Sequence, residues 1–277
     1  MTTDKPFIEE QDIMPHRSNT NATTRFVCIS DTHSRVPPSN SIPDGDVFIH
    51  CGDLTAHGKL SEVEETFGWI EALPHPVKIV VAGNHDYPLD RKCHGANGHY
   101  RIIRAGTRWE EVEELVAGLK ERGITYLCHE STTLHINGKP WNIFGSPRVP
   151  LFGSSAFAYP KSEPNPWTLV PTNTDILITH GPPHGHPKPK GRHGCPLLER
   201  EVLERVKPKL HCWGHIHDDY GVEVFEYGES GKGKGKSSKS PKKGVVEEEG
   251  GGEVRRTIFA NCAAPWAGRQ CQVFDIA

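Results

Sequence analysis

Short apolar runs, each emptying into a polar loop, set the rhythm of the first part of the chain. "RFVCIS" (25–30), "DVFIHC" (46–51) and "HPVKIVVA" (75–82) are near-continuous apolar stretches of strand length, the pattern of strands buried on both faces. Between the second and third, "SEVEETFGWIEAL" (61–73) repeats Val63, Phe67 and Ile70 at helical spacing. Ser61 and Glu64 have the spacing of a capping box, so a helix is predicted to start there. A second amphipathic helix is predicted over 109–121, with Val112, Leu115, Val116 and Leu119 on one side and Gly123 as its stop. The order strand, loop, strand, helix, strand is that of a layered α/β domain.

The pattern changes beyond residue 123. "ITYLC" (124–128), "TTLHI" (132–136) and "WNIFGS" (141–146) read as consecutive strands, with "NGK" a hairpin turn between the last two. Residues 147–173 are rich in proline and aromatics and are either a lid or an irregular surface excursion. "TDILITHGPP" (174–183) is a strand ending in a His-Gly-Pro-Pro turn. A helix over 195–208, with Leu198, Val202 and Val206 on its face, leads to the short strand "LHCWGHIH" (210–217). "GVEVFEY" and "VRRTIFANC" then read as paired strands, and "RQCQVFDI" as the last one. The low-complexity charged stretch at 228–253 reads as a hairpin tip or loop, and residues 1–24 as a loose arm. Residues 25–277 therefore form a single domain carrying an insert.

Composition narrows the function. With 32 Lys+Arg against 35 Asp+Glu the net charge is -3, which gives no global attraction to nucleic acid or an anionic membrane. No apolar run is long enough to span a bilayer. The 8 cysteines form no CxxC pair, and Cys28, Cys51, Cys128 and Cys212 lie in or beside apolar runs, as buried thiols do; a reduced, cytoplasmic chain is expected. The 17 histidines are the compositional oddity, since histidine both ligates metals and exchanges protons near neutral pH.

Position makes those histidines informative. Five strand ends offer polar groups: Asp31 and His33; Asp53; Asn84, His85 and Asp86; His180; His215 and His217. Any one of them alone reads as a cap or a turn, and "GNHDY" (83–87) either reverses the chain or aims side chains at a ligand. In layered α/β folds ligands bind beyond the carboxyl ends of strands, so all five can meet there. Mixed imidazole and carboxylate donors suit divalent Zn, Fe or Mn, and their number exceeds what one catalytic zinc takes. Two ions sharing a carboxylate are the economical explanation. An extended "HIH" would place His215 and His217 on one side.

The set "DTH", "GD", "GNHD", "THG" and "GHIH" resembles the calcineurin-like metallophosphoesterase superfamily. "FVCISDTH", "GSPRVPLF", "ITHGPP" and "NCAAPWAGRQCQVFDI" are similar to its branch of small metallophosphoesterase-domain proteins acting on phosphodiesters. The resemblance implies a four-layer sandwich of two mixed β-sheets flanked by α-helices. It implies that Asp31, His33 and His217 bind one metal, that Asn84, His180 and His215 bind a second, and that Asp53 bridges both. It assigns His85 to the leaving oxygen or the phosphate, with Asp86 orienting its ring. The implied cofactors are two divalent ions, Mn first and Fe, Zn or Mg as alternatives. The implied reaction is phosphodiester hydrolysis by a metal-activated hydroxide on a small nucleotide-like substrate. A phosphomonoesterase and a nucleotide-binding scaffold protein are the alternatives, and no stable nucleic-acid complex is expected. Arg148 is a candidate phosphate contact, and Phe152, Phe157 and Trp167 either cover a base or pack their loop. His184, His186 and His193 either line the pocket or decorate a loop.

Overall fold

Alternation along the first strand decides which layer each side chain joins. Phe26 and Cys28 turn into one cluster with Ile143, Ile178 and Ile258, while Val27 and Ile29 turn the opposite way, towards Phe67 and Ile70. All of these except Ile29 and Ile258 are at most 1% exposed, so the strand is buried on both faces as its continuous apolar run requires. The computed structural model describes residues 23–96, 98–187, 193–228, 234–238, 244–245, 255–264 and 270–277.

In chain order the strands are β1 (Thr24–Ile29), β2 (Val47–His50), β3 (Val77–Val80), β4 (Ile124–Tyr126), β5 (Glu130–Ile136), β6 (Lys139–Ser146), β7 (Val149–Pro150) and β8 (Ala158–Tyr159). They continue as β9 (Ile176–Thr179), β10 (Leu210–Trp213), β11 (Gly221–Glu226), β12 (Lys234–Ser238), β13 (Gly244–Val245), β14 (Arg256–Asn261) and β15 (Gln272–Ile276). The helices are α1 (Leu60–Ala72), α2 (Tyr100–Ala105), α3 (Trp109–Gly118) and α4 (Pro196–Arg200).

One sheet has the order β13-β15-β1-β2-β3-β4, with β1 to β4 parallel and β15 antiparallel to β1. The other runs β12-β11-β14-β10-β9-β6-β5, parallel through β14, β10, β9 and β6 and closed by antiparallel strands on both sides. The two sheets pack face to face through one cluster, α1 and α3 cover the outer face of the first through Phe67, Ile70 and Val112, and α4 covers the second through Leu198. This is the expected four-layer sandwich. Each fully buried side chain of Phe or Ile size contributes about 1.5–3 kcal/mol, which makes the central cluster the main source of cohesion.

Several expectations shift in detail. Although "ITYLC" and "TTLHI" are neighbours in sequence, β4 pairs with β3 in the first sheet and β5 with β6 in the second. The chain thus crosses between sheets at residues 127–129. The β5–β6 turn is built on Asn137 (φ 52°) and Gly138 (φ 79°), the left-handed pair such a hairpin needs. Helix α1 begins one residue before Ser61, and its start is satisfied by Glu62, whose carboxylate accepts the N–H of Lys59 and of His57, both at 3.0 Å. The helix after Cys195 widens into a π-helix over Glu201–Val206, with Val202 and Val206 still buried. Cys128 is exposed rather than buried, and all eight cysteines are free. The arm at 1–22 and most of the charged insert lie outside the described residues, but Lys234–Ser238 pairs with β11 and Gly244–Val245 with β15, so the insert adds a strand to each sheet. Among the described residues no helix is long and apolar enough to cross a membrane.

Candidate metal centre

Five parallel strands, three in one sheet and two in the other, end at the same place. Asp31 and His33 follow β1, Asp53 follows β2, Asn84 follows β3, His180 directly follows β9, and His215 and His217 follow β10. The loops that present them are tight. Asp31, His33, Asp53 and His215 have φ of 59°, 45°, 56° and 68°, left-handed conformations that cost non-glycine residues free energy and recur at functional sites. The N–H of Asp31 donates to the Gly52 carbonyl at 2.9 Å and that of His33 to the Asp53 carbonyl at 3.0 Å, so the first two loops hold each other. "HIH" is not an extended stretch: β10 stops at Trp213, His215 is left-handed and His217 opens a 3-10 turn over His217–Asp219. The two histidines converge through that turn rather than through strand alternation.

Ring tautomers can be read from fixed partners. His180 Nδ1 donates to the Cys51 carbonyl at 2.9 Å, so its Nε2 is turned toward two oxygens, Asn84 Oδ1 at 2.8 Å and Asp53 Oδ1 at 3.3 Å. Asn84 Oδ1 also lies 2.6 Å from His215 Nδ1. His33 Nδ1 donates to the Thr55 carbonyl at 3.2 Å, leaving Nε2 3.4 Å from His217 Nε2 and 3.8 Å from Asp53 Oδ2. His217 Nε2 is 3.1 Å from Asp31 Oδ1. Acceptors and ring lone pairs thus face one another in a buried space, an arrangement only a positive charge between them relieves. Burial works against the charged form of His180, but the Asp53 carboxylate overcomes it and lifts the imidazole to about 9. Burial would raise Asp53, yet the His180, His85 and His33 rings hold it well below the usual carboxylate range. Among the described residues three overlapping groups have ligand atoms within 4.8 Å of one another: Asp31, His33 and His217; His33, Asp53 and His85; and Asp53, His180 and His215. Oxygen and imidazole donors with their other ring nitrogen anchored on a carbonyl fit divalent cations.

Asp86 departs from its expected place. Its carboxylate accepts the N–H of Gly83 (2.7 Å), Leu54 (3.1 Å) and Thr55 (2.9 Å) and the Thr55 hydroxyl (2.9 Å), and the His85 ring instead points Nδ1 at the Ala56 carbonyl at 3.4 Å. Burial and the Asp53 charge lift Asp86 to about 6 against the pull of those N–H donors. Asp86 therefore clamps the "GNHD" turn to the "GD" loop. The His85 N–H donates to Asp53 Oδ1 at 2.8 Å, which seats its ring 4.8 Å from that of His33.

The motif glycines carry weight that motif matching passed over. A Cβ on Gly52 (φ 98°) would lie 2.6 Å from His180 Nδ1, and one on Gly214 would lie 2.0 Å from Asp31 Oδ2. Both loops come too close to a donor side chain for any larger residue. His50, inside the β2 run, gives no motif signal in the sequence. It is wholly buried, accepts the Gly52 N–H at 3.2 Å through Nδ1 and meets the Thr32 hydroxyl through Nε2, and burial pushes its pKa down to about 3.

The remaining candidates scatter. Arg148 is ion-paired with Glu163 and lies 5.2 Å over the Tyr159 ring. Phe152 is 89% exposed, whereas Trp167 is buried and donates Nε1–H to the Tyr159 hydroxyl at 3.1 Å. His184 faces Glu199 at 3.6 Å, and His186 is buried, paired with Glu223 at 2.8 Å and stacked on Phe259. His193 is exposed and shares a cleft of about 670 Å³ with His215, Ile216, His217, Asp218 and Asp219.

Two sheets joined by a cation-demanding cluster at their strand ends define a metal-dependent phosphoesterase. The calcineurin-like phosphoesterase family model matches residues 24–219, and the chain belongs to that family. It is 39% identical over 227 residues to metallophosphoesterase domain-containing protein 1 of Homo sapiens, covering 78% of this chain and 68% of that one. It is 37% identical over 219 residues to a UPF0046 protein of Caenorhabditis elegans, covering 72% and 70%. It is also 38% identical over 210 residues to a probable rhamnogalacturonate lyase C of Emericella nidulans, covering 75% of this chain. The match spans 18% of that longer protein, so the lyase in its name is said of that protein alone.

Proposed function

We propose that this chain hydrolyses phosphodiester bonds of a small, nucleotide-like substrate with two divalent ions, Mn being the first choice. The observation that carries the reading is the membership of Asp53 in two of the three donor groups, one with His33 and one with His180 and His215. When bound, such ions lower the pKa of a coordinated water towards neutrality and offset charge developing on the phosphoryl oxygens. In this reading Asp31, His33 and His217 hold one ion, Asn84, His180 and His215 the other, and Asp53 both. His85 gives a proton to the leaving oxygen, and Asp86 keeps the loop of His85 against that of Asp53.

Diester over monoester is supported by charge. The described residues lining the cleft beside His215 and His217 include two carboxylates, Asp218 and Asp219, and Arg148 is already paired. A singly charged diester enters such a cleft at lower electrostatic cost than a doubly charged monoester. A volume of about 670 Å³ accommodates a nucleotide-sized molecule. Eight free cysteines support a reducing, cytoplasmic setting.

The test compares bis(p-nitrophenyl) phosphate with p-nitrophenyl phosphate on chelator-treated protein, with and without Mn. Diester turnover is expected to exceed monoester turnover by about tenfold and to vanish on chelation. Asp53→Asn is expected to lower kcat/KM at least ~100-fold, close to 2.7 kcal/mol of transition-state stabilisation. Turnover indifferent to chelator and to that substitution, or a monoester preference, sinks the reading.

A further inference from the structure

His50 is the last residue of β2, and its ring connects two of the loops that carry proposed donors. It is wholly buried. Nδ1 accepts the N–H of Gly52 at 3.2 Å, in the loop of Asp53, and Nε2 lies 3.0 Å from the hydroxyl of Thr32, which stands between Asp31 and His33. The Gly52 N–H can only donate, so Nδ1 bears no proton and the neutral ring carries its proton on Nε2. Nε2 therefore donates to Thr32 Oγ1, and a ring protonated on both nitrogens would turn one N–H against another. The ring is a crossbar of one tautomer rather than a group that exchanges protons with the site. Asp86 makes the corresponding connection between the loops of Asp53 and His85.

The two ends of the crossbar are not equally free to move. Gly52 is wedged: a Cβ there would lie 2.5 Å from the Ala82 carbonyl oxygen and 2.6 Å from His180 Nδ1, and Asp53 beside it accepts the His85 N–H at 2.8 Å. The run from Asp31 to Ser34 is the strained partner, with Asp31, His33 and Ser34 at φ of 59°, 45° and 60°. Left-handed residues so close together persist only where their surroundings impose them. The N–H groups of Asp31, His33 and Ser34 tie the run to the loop of Asp53, and Thr32 is tied through its side chain to His50. Releasing Thr32 lets the strained run relax while the wedged loop stays. We infer that His50 is a positioning residue: through Thr32 it holds Asp31 and His33 where one ion needs them, and it leaves the ion on Asn84, His180 and His215 as it is. The inference rests on the two-ion reading of the site and names what sets one half of it.

The experiment titrates the metal-free full chain with Mn and follows free Mn by electron paramagnetic resonance, which reads each binding step without turnover. His50→Asn puts an amide oxygen where Nδ1 stood, keeping the acceptor for Gly52, and leaves nothing at the Nε2 position. Thr32→Val keeps the shape and loses the hydroxyl, whereas Thr32→Ser keeps the hydroxyl. His50→Asn and Thr32→Val are each expected to weaken one of two binding steps about tenfold or more and to leave the other within about twofold, with Thr32→Ser binding as the wild type does. The double variant is expected to bind no more weakly than either single, because both substitutions remove the same bond. In a His217→Ala chain, which lacks a donor to the first ion only, His50→Asn is expected to alter the second ion's binding by less than about twofold. A merely structural role lowers both steps together. Equal weakening of both steps, unchanged binding, or losses that add in the double variant overturn the inference. Absence of diester turnover by a wild type that binds two ions sinks the phosphodiesterase reading and leaves this one standing. Should the wild type bind fewer than two, the two-ion reading falls, and amide exchange of the metal-free chain judges the crossbar separately. Exchange at Asp31 and His33 that His50→Asn speeds at least ~10-fold, with Asp86 unchanged, supports it, and equal rates overturn it.

Discussion

Four hydrogen bonds converge on the Asp86 carboxylate, three from backbone N–H groups on two different loops and one from the Thr55 hydroxyl. An amide at this position turns an NH2 group towards one of those donors and leaves it unsatisfied. Asp86→Asn is expected to lose about 1–3 kcal/mol in urea unfolding, whereas His85→Ala, whose ring has a 3.4 Å carbonyl contact and an edge contact with His33, loses less. Equal stability losses would return Asp86 to the role of orienting His85. Gly214→Ala is a second residue-scale test: its Cβ would fall 2.0 Å from Asp31 Oδ2 and displace that carboxylate. Retained Mn, measured on desalted protein, is expected to fall at least ~10-fold. The seven proposed metal donors were legible in the sequence because Asp, Asn and His recurred at strand ends. The partners of Asp86 were not, since an Asp directly after a histidine reads as its orienting group or as turn chemistry until its partners in space are known.

Arg205 joins elements that are far apart in sequence. Its guanidinium pairs with Glu201 on the π-helix at 2.5 Å and donates to the carbonyls of Val170 (2.7 Å) and Trp167 (2.9 Å), which end the long loop over β7 and β8. A lysine keeps the charge but cannot reach three acceptors in one plane. Arg205→Lys is expected to cost about 1–3 kcal/mol in urea unfolding and to speed proteolysis between residues 160 and 170. Strands and their faces could be read from "RFVCIS" or "DILIT" because local apolar runs determine them. Sheet membership could not: β4 and β5 are separated by three residues yet lie in different sheets, and what separates them is long-range pairing with β3 and β6. The π-helix was equally silent, because Leu198, Val202 and Val206 keep the spacing of an ordinary helix.

The proposed metal donors come from both sheets, so an ion bound among them would tie the sheets together. At an Mn concentration 100 times its Kd the folded state gains about 2.7 kcal/mol, and the unfolding midpoint is expected to rise with Mn and fall with chelator. A midpoint insensitive to both would mean that the donors do not bind an ion across the interface. Acid acts on the whole fold through a different group. Thr179 Oγ1 donates to the Gly181 carbonyl, so His211 Nε2 must donate to Thr179, and the bare Nδ1 has no partner among the described residues. Burial, followed by the neighbouring His186, pushes His211 down to about 3. The unfolded chain protonates this residue below about 6.5 while the native state does not, so the stability present above that pH falls as acid is added. The slope is at most about 1.4 kcal/mol per pH unit for this one proton. Urea titrations between pH 7 and 5 are expected to show a shallower loss for His211→Gln than for the wild type, and identical slopes would place the acid sensitivity elsewhere.

The strand that covers the free side of β1 comes later in the chain than every proposed donor. β15 lies at 272–276, while the final proposed donor, His217, is synthesised more than fifty residues earlier. β14, which separates β10 from β11, also comes after it. A chain made only as far as residue 217 therefore carries every proposed donor but lacks the two strands that complete the sheets around them. Deleting residues 272–276 is therefore expected to weaken ion retention while sparing every proposed donor.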